Sequence, residues 1–526
     1  MKSACFALGF LLMTAVSSEA GAKVKRYALI VGNNAPPAGE ALLKPLKYAD
    51  DDAARYFELT RSWGAESILL AVLDSATQRR FPQLPIMARP PTRENLDDAL
   101  NALSDKVAYD RKRGDEPVLY FIFAGHGSIR DGSPYLSLLD GRITQQVLYD
   151  EIIARVSAAR THLIVDACHA GGVVGSRGLF DRELTATTSD VSVDEVAGLS
   201  KLSQHPNVGV ILAATLGEEV HEWSRIESGV FSHEVISGLR GPADVNRDGR
   251  IEYSEIQAFV ASANRDLKDR RTAPHVIAYP PAQDHHSPLA LLSEQGGVAW
   301  LEGNATNLGH FYVERESGER QLDAHFSSPI PIRFAIPANE VVYVHTATGE
   351  AQVDAGEGQI LEISKLQFED KELAERGSAE NDFRESLFAS PFSEAYYLGF
   401  VDHGQVTPVS FDGPALLYDV PAPPNRKRIA IGFFSTSGVA FAATLVSGGI
   451  MAKAKRDYDD TEIQGEAAEA QSRFESARTA TIVSGSVTAV TAIVGAIVWP
   501  KKKVARFSAE VDPHRRHYGV RASIRF

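Results

Sequence analysis

Cys168 stands in the run HLIVDACHAG, residues 162–171, where a short apolar stretch leads into an acid, a thiol and an imidazole and then opens into glycines. The chain has two cysteines, and the other, Cys5, lies in a segment with the character of a signal peptide. In an export compartment structural cysteines pair, so a lone thiol calls for a chemical reason, the plain alternative being a buried core cysteine. A second run, YFIFAGHGS (120–128), ends in Gly125-His126-Gly127. If both runs are strands lying side by side, the Cys168 thiol and the His126 imidazole meet at one sheet edge as a nucleophile and its base. The glycines let the backbone approach a substrate closely, and the N–H groups near Gly127 and Cys168 are suited to face the oxyanion of a tetrahedral intermediate. His169 is the less suitable base, because adjacent residues leaving a strand point apart.

A second constellation, DVNRDGRIEYSE, occupies residues 244–255. Asp244, Asn246, Asp248 and Glu255 fall at loop positions 1, 3, 5 and 12, with the Arg250 carbonyl at 7, Gly249 at 6 and Ile251 at 8, which is the oxygen-ligand pattern of an EF-hand calcium loop. An Asp-Gly turn followed by a helix N-cap explains the same residues without an ion, so both readings stand. Nothing ties this loop to Cys168. A bound Ca2+ would brace the domain, and the thiol chemistry requires no cofactor.

The elements that must position these groups read as alternating strands and helices. RYALIVG (26–32), SILLAVLD (67–74), VLYFIFAGHG (118–127), THLIVDAC (161–168) and VGVILAAT (208–215) are predicted strands, continuously apolar and rich in β-branched and aromatic residues. Between them, 49–63, 91–110 with Thr92 as N-cap, and 144–159 are predicted amphipathic helices. The expected fold is α/β, with a mainly parallel sheet covered by helices on both faces and its ligands at the carboxyl ends of the strands.

Taken together, FAGHGS and DACHAGG in this order, each at a strand end, resemble the caspase-like cysteine peptidases of clan CD and, among them, the bacterial relatives of metacaspases. RYALIVGNN, LKPLKYADDDA and VFSHEVISGLRG (230–241) extend the resemblance over about residues 24–292, with Ala170 where the family most often has serine. The resemblance implies a general base at His126 and a nucleophile at Cys168. It also implies a first specificity pocket lined by Asp52 and Asp166, hence cleavage after arginine or lysine, since a carboxylate in a dry pocket favours a cation. Asp50 and Asp51 stand close enough to Asp52 to compete for that role, and a helix cap at Asp52 with a loop contact at Asp166 is the plainer alternative. The polar stretch 177–207 matches the position where such peptidases often cleave themselves, with Arg177, Arg182 and Lys201 as basic sites; a plain loop is the other reading.

The remainder bounds partners and location. The chain has 526 residues, 44% hydrophobic and 23% charged, with a net charge of −14, which argues against nucleic acid and leaves protein or peptide substrates with basic residues. Residues 1–22 read as a signal peptide, and no leucine stands three before Cys5 as a lipoprotein anchor would need. Residues 293–366 alternate as a small antiparallel β-sandwich, taken as a binding or spacing module, and 367–428 as a partly helical segment and linker. The uncharged stretches 429–451 and 479–500 have the length and small-residue content of a transmembrane hairpin, followed by a tail, 501–526. His221, His233, His285 and His286 lack metal spacing and are expected on the surface or in loops. The expectation is an exported, membrane-anchored cysteine endopeptidase at the periplasmic face of the inner membrane; the alternative is an inactive caspase-fold module that recruits partners there.

Overall fold

Strands that are apolar without alternation must be covered on both faces, and the centre of the molecule is built that way. The computed structural model describes residues 22–37, 43–175, 201–214, 222–267, 275–304, 308–327, 330–370, 386–401, 406–411, 504–512 and 517–525, and short helical pieces between 444 and 481. The chain runs β1 (Val24–Asn33), α1 (Ala49–Ser62), β2 (Glu66–Ala71), α2 (Ser75–Arg80), α3 (Arg93–Lys112) and β3 (Glu116–Gly125). A small antiparallel sheet of β4 (Gly127–Arg130), β5 (Ser133–Ser137) and β6 (Arg142–Thr144) follows. A π-helical turn, Val147–Ile153, then continues into α4 (Ala154–Val156), where one regular helix was expected over 144–159. Next come β7 (Arg160–Asp166), α5 (Ala170–Val174), β8 (Val208–Ala214), β9 (Glu222–Trp223), β10 (Ser228–Gly229) and α6 (Val230–Leu239). The last elements of this part are β11 (Arg250–Ile251), α7 (Tyr253–Ala263), β12 (His275–Tyr279) and β13 (Ala290–Leu291).

The main sheet has the order β12-β8-β7-β3-β1-β2. Its strands are parallel except β12, which closes the edge antiparallel to β8. On one face Leu29, Val31, Leu119, Phe121, Phe123, Leu163 and Val165 pack with Leu96, Leu100 and Leu103 of α3 and with Leu148 and Ile152 of the π-helical turn. α1 covers β1, β2 and β3 on the other. The predicted cap holds, Thr92 Oγ1 accepting the Asn95 N–H at 3.2 Å.

Beyond the peptidase-like part lie β14 (Val298–Asn304), β15 (Gly309–Arg315), β16 (Arg320–Phe326), β17 (Pro331–Pro337), β18 (Val341–Thr346), β19 (Gly349–Asp354), β20 (Ile360–Glu362) and β21 (Glu369–Asp370). They form two sheets, β17-β14-β20 and β16-β15-β18-β19-β21, with β20 parallel to β14 where an all-antiparallel pairing was expected. This layer is fused to the α/β part rather than spaced from it. His233 Nε2 on α6 meets Asp323 Oδ2 on β16 at 2.7 Å, both side chains buried, so His233 is an interface residue and not the surface or loop histidine expected from its spacing. The Ala335 N–H donates to the Arg240 carbonyl at 2.8 Å. At Gly241, φ is 130° and a Cβ would stand 2.4 Å from the Arg333 oxygen, so only glycine lets the backbones meet there.

Of the segment 367–428, the described part includes α8 (Glu394–Val401), whose Tyr397 hydroxyl bonds Ser254 on α7 at 2.9 Å. Two compact units divide the chain, Met1–Ser410 and Phe411–Phe526. In the second, the predicted tail contains a β-hairpin, β22 (Val504–Asp512) with β23 (His517–Arg525). The predicted signal peptide lies almost wholly outside the described residues, as do most of 429–451 and 479–500. No helix among the described residues is long and apolar enough to cross a membrane. The two stretches are nonetheless joined where they are described, Thr481 Oγ1 lying 2.9 Å from Ser447 Oγ.

Because the β-rich layer seals α6 with buried polar contacts, removing residues 293–370 should lower the melting temperature of the remaining α/β part or prevent its folding. An unchanged melting temperature would mean that the layer is the separable module expected from the sequence.

Candidate active site

The site is assembled by strand register. Ala124 on β3 pairs with Asp166 on β7, so His126 and Cys168 each lie two residues past the same rung at the carboxyl edge of the sheet. Gly127 then turns directly onto the cysteine: a Cβ at this position would fall 1.7 Å from the Cys168 carbonyl oxygen. Gly125, at φ 155°, is also closely packed, its Cβ position 2.9 Å from the Asn33 oxygen. The segment after the histidine is pinned as well, because the Ser137 N–H donates to the His126 carbonyl at 2.9 Å and Asn33 Nδ2 donates to the Ser137 carbonyl at 2.9 Å. His126 and Cys168 are both largely buried, at 8% and 5% exposure. His169, by contrast, sits in a left-handed turn (φ 56°) and is exposed. Cys168 is in no disulfide among the described residues. Thus the described edge brings together a thiol, an imidazole and a glycine-lined backbone, as the nucleophile-and-base reading requires.

The two acids implied as a pocket also converge. Asp166 Oδ2 accepts the Ser232 N–H at 3.2 Å and the Ser232 hydroxyl at 2.7 Å. Asp52 accepts the Gly229 N–H at 2.9 Å and a hydrogen bond from the Ser228 hydroxyl. Gly229 lies between them, since a Cβ there would be 2.8 Å from Asp166 Oδ2 and 3.0 Å from Asp52 Oδ2. Both carboxylates therefore sit at the start of α6, where its N–H groups favour negative charge. The plainer alternative gave the cap to Asp52 and a loop contact to Asp166; here Asp166 takes an N–H of the first turn of α6, while Asp52 holds Ser228 and Gly229 just ahead of it, and these contacts keep the two acids beside each other. Neighbouring acids are committed elsewhere: Asp50 accepts from Asn34 Nδ2 at 2.6 Å and from the Asp74 N–H at 2.8 Å, and Asp51 pairs with Arg80. Of the three consecutive aspartates, only Asp52 faces Asp166.

Burial pushes Asp166 up to about 6, against the opposing hydrogen bonds from Ser232. Burial likewise lifts Asp52 well above the usual carboxylate range, with Arg55 opposing and Asp166 adding to the rise. Sequence reasoning missed Ser228, Ser232 and Glu222. The Glu222 carboxylate accepts the N–H groups of Lys47 at 2.8 Å and Tyr48 at 2.7 Å, tying β9 to the start of α1. Only Ser232 left a trace, within the matching run VFSHEVISGLRG; the other two act through chain crossings that no local pattern encodes.

The loop 244–255 adopts the turn its sequence implies. Asp244 accepts the N–H groups of Asp248 (3.1 Å) and Gly249 (3.0 Å), Asn246 accepts from Asp248 (3.1 Å), and Asp248 accepts from Arg250 (2.8 Å). Glu255 accepts from Val245 and Glu252, at 3.1 and 2.8 Å. No group of three His, Cys, Asp or Glu side chains among the described residues is arranged as a metal-ligand set. The donors are all oxygens, the class that a hard cation takes, and burial followed by mutual repulsion lifts Asp244 to about 7 and Glu255 well above its usual range. His285 and His286 are exposed, as expected, while His221, Arg177 and Arg182 lie outside the described residues.

Two predictions follow from this geometry. Gly127→Ala should remove peptidase turnover and lower the melting temperature, because a methyl group there collides with the backbone of the nucleophile's own residue; wild-type turnover in that variant would contradict the described approach of the two strand ends. If the loop takes Ca2+, the ion should raise the melting temperature of the unmodified protein and not that of Asp244→Ala/Glu255→Ala. Equal melting temperatures with calcium and with chelator would leave the turn as the loop's whole role.

Comparison with known proteins gives one family. Residues 25–285, close to half of the chain, match the family model described as the caspase domain. The crystal structure of caspase-1 from Spodoptera frugiperda matches with a TM-score of 0.30 and 11% identity, over 50% of this chain and 88% of that one. No curated protein matches. With the parallel sheet in place and the histidine and cysteine at neighbouring strand ends, residues 25–285 are a caspase domain, the domain of the caspase-like cysteine peptidases.

Proposed function

We propose that the chain is an endopeptidase that hydrolyses peptide bonds after arginine or lysine, with Cys168 as nucleophile and His126 as base. The observation that carries this reading is the placement of Asp52 and Asp166 around Gly229, a short reach from the strand end that bears Cys168. His126 takes the thiol proton, and the thiolate attacks the carbonyl carbon of the scissile bond. The N–H groups near Gly127 and Cys168 face the resulting oxyanion. The proton passes from His126 to the departing amine, leaving a thioester that water hydrolyses through the same imidazole. A substrate guanidinium or ammonium enters between two carboxyl groups already held by Ser228, Gly229 and Ser232. No cofactor takes part, and Ca2+ on loop 244–255 would act only as a brace.

The uncharged stretches 429–451 and 479–500, which meet at Ser447 and Thr481, support a membrane tether, and the leader at 1–22 supports export with the catalytic domain on the periplasmic face of the inner membrane. The low exposure of Cys168 favours the second reading, a caspase-fold interaction module without turnover. A thiol-selective probe separates the two, because a live site labels rapidly and loses that labelling in His126→Ala.

Cys168→Ala should abolish cleavage while leaving the far-ultraviolet circular dichroism unchanged. Retained turnover would remove Cys168 from the chemistry.

The acidic pocket sets a pH dependence whose sign follows from burial. Asp166 binds its proton up to about 6 in the folded chain against an ordinary 3.8, so its contribution to stability is full below the ordinary value and is lost as pH rises through about 6. The charge that attracts a basic side chain appears over the same interval. Cleavage after arginine, measured relative to alkylation of Cys168, should therefore rise through about pH 6, and Asp166→Asn should flatten that rise and lower kcat/KM by tens of times or more, on the order of 2 kcal/mol. A wild-type rise that persists in Asp166→Asn would assign it to another group.

A further inference from the structure

A pocket that is to bind a cation has a cation built into its wall. Arg55, on the same helix as Asp52 and 3% exposed, places Nη1 3.5 Å from Asp52 Oδ1. Left to itself this guanidinium would neutralise Asp52 and repel an incoming arginine. Its better placed partner comes from the β-rich layer: Arg55 Nε lies 3.3 Å from Oε1 of Glu319, whose side chain is fully buried in the turn before β16. Two further guanidinium donors are held on backbone, one on Nη1 by the Glu227 carbonyl at 2.8 Å and one on Nη2 by the Ile226 carbonyl at 3.2 Å. Burial by itself would lower the Arg55 pKa, but Glu319 first, and then Asp52 and Asp51, hold it raised.

Charges alternate outward from this point. The other oxygen of Glu319 meets Arg315 Nη1 at 2.8 Å, and Arg315 in turn meets Glu58 at 3.1 Å and Glu340 at 2.9 Å. A row therefore runs Asp52, Arg55, Glu319, Arg315, Glu340, from the pocket to a half-exposed carboxylate. Glu314, Arg320 and Asp323 make a second set of ion pairs around His233, His310 and His345.

We infer that Glu319 is a positioning and specificity-determining residue of the peptidase, supplied by the β-rich layer to take up the charge of Arg55 so that the Asp52 carboxylate is left for the basic side chain of the substrate. This rests on the reading of Asp52 and Asp166 as the pocket for arginine or lysine. It gives the β-rich layer a part in substrate choice, although it holds no group that touches the scissile bond.

The test uses the full chain and paired peptides carrying arginine or its uncharged isostere citrulline before the scissile bond. Glu319→Gln should lower the arginine-to-citrulline ratio of kcat/KM at least about tenfold, through KM, with kcat for arginine and the alkylation rate of Cys168 within about twofold of wild type. The double variant Arg55→Gln/Glu319→Gln, which has no guanidinium beside Asp52, should recover most of that ratio, whereas a merely structural loss would deepen. Asp323→Asn serves as the control for a loosened interface and should lower the melting temperature with the ratio unchanged. If Glu319→Gln does not fold, the double variant decides: a preserved ratio supports the inference and a lost ratio overturns it. A wild-type ratio near one would sink the basic-pocket reading itself. A high wild-type ratio left intact in a folded Glu319→Gln would overturn the inference alone.

Discussion

The parallel pairing of β3 with β7 is the constraint on which the rest depends. With Ala124 opposite Asp166, the two strands deliver His126 and Cys168 to the same level, and Gly127 must then pass so close to the Cys168 carbonyl that no side chain fits. Slipping the register by one residue would send alternate side chains to the opposite face and part the two groups. Burial of β3 along almost its whole length, with Phe121 and Phe123 in the core, makes such a slip costly. The placement of the thiol beside the imidazole is thus set by the apolar packing of the sheet.

A second dependence concerns charge. Asp52, Asp166, Arg55 and Glu319 are all buried in a region that a peptidase must keep dry. Buried charges persist only when paired and hydrogen-bonded, and here α6 does part of the holding while the β-rich layer does the rest. That shared burial explains why the peptidase-like part and the layer after it form a single compact unit.

Much of this was legible in the sequence because it is local. The five main strands follow from their apolar runs and α1 and α3 from their periodicity, and the Gly-His-Gly and Asp-x-Cys-His strings sit at strand ends where glycine has a steric reason to be. Asp52 was named over Asp50 and Asp51 by resemblance alone, because the physical reason depends on which carboxylate Asn34, Arg80 and Gly229 each capture. Nor was the fate of His233: spacing shows no metal pattern, but only the packing of α6 on β16 turns it into a buried partner of Asp323. The β-rich layer is legible in its alternation but its packing on α6 is not, since alternation reports one buried face and says nothing about which neighbour supplies the polar seam. The Arg55–Glu319 pair joins residues 264 apart in sequence, beyond the reach of any motif.

The central claim is that Cys168 is an activated thiol served by His126 and reached through an acidic pocket. Its most direct measurement is covalent labelling with a peptidyl chloromethyl ketone bearing arginine, followed by mass-spectrometric mapping of the modified residue. The account predicts a single alkylated site at Cys168, formed far faster with the arginyl than with the aspartyl reagent and suppressed in His126→Ala. Labelling that is equal for the two reagents, or that persists unchanged without His126, would contradict it.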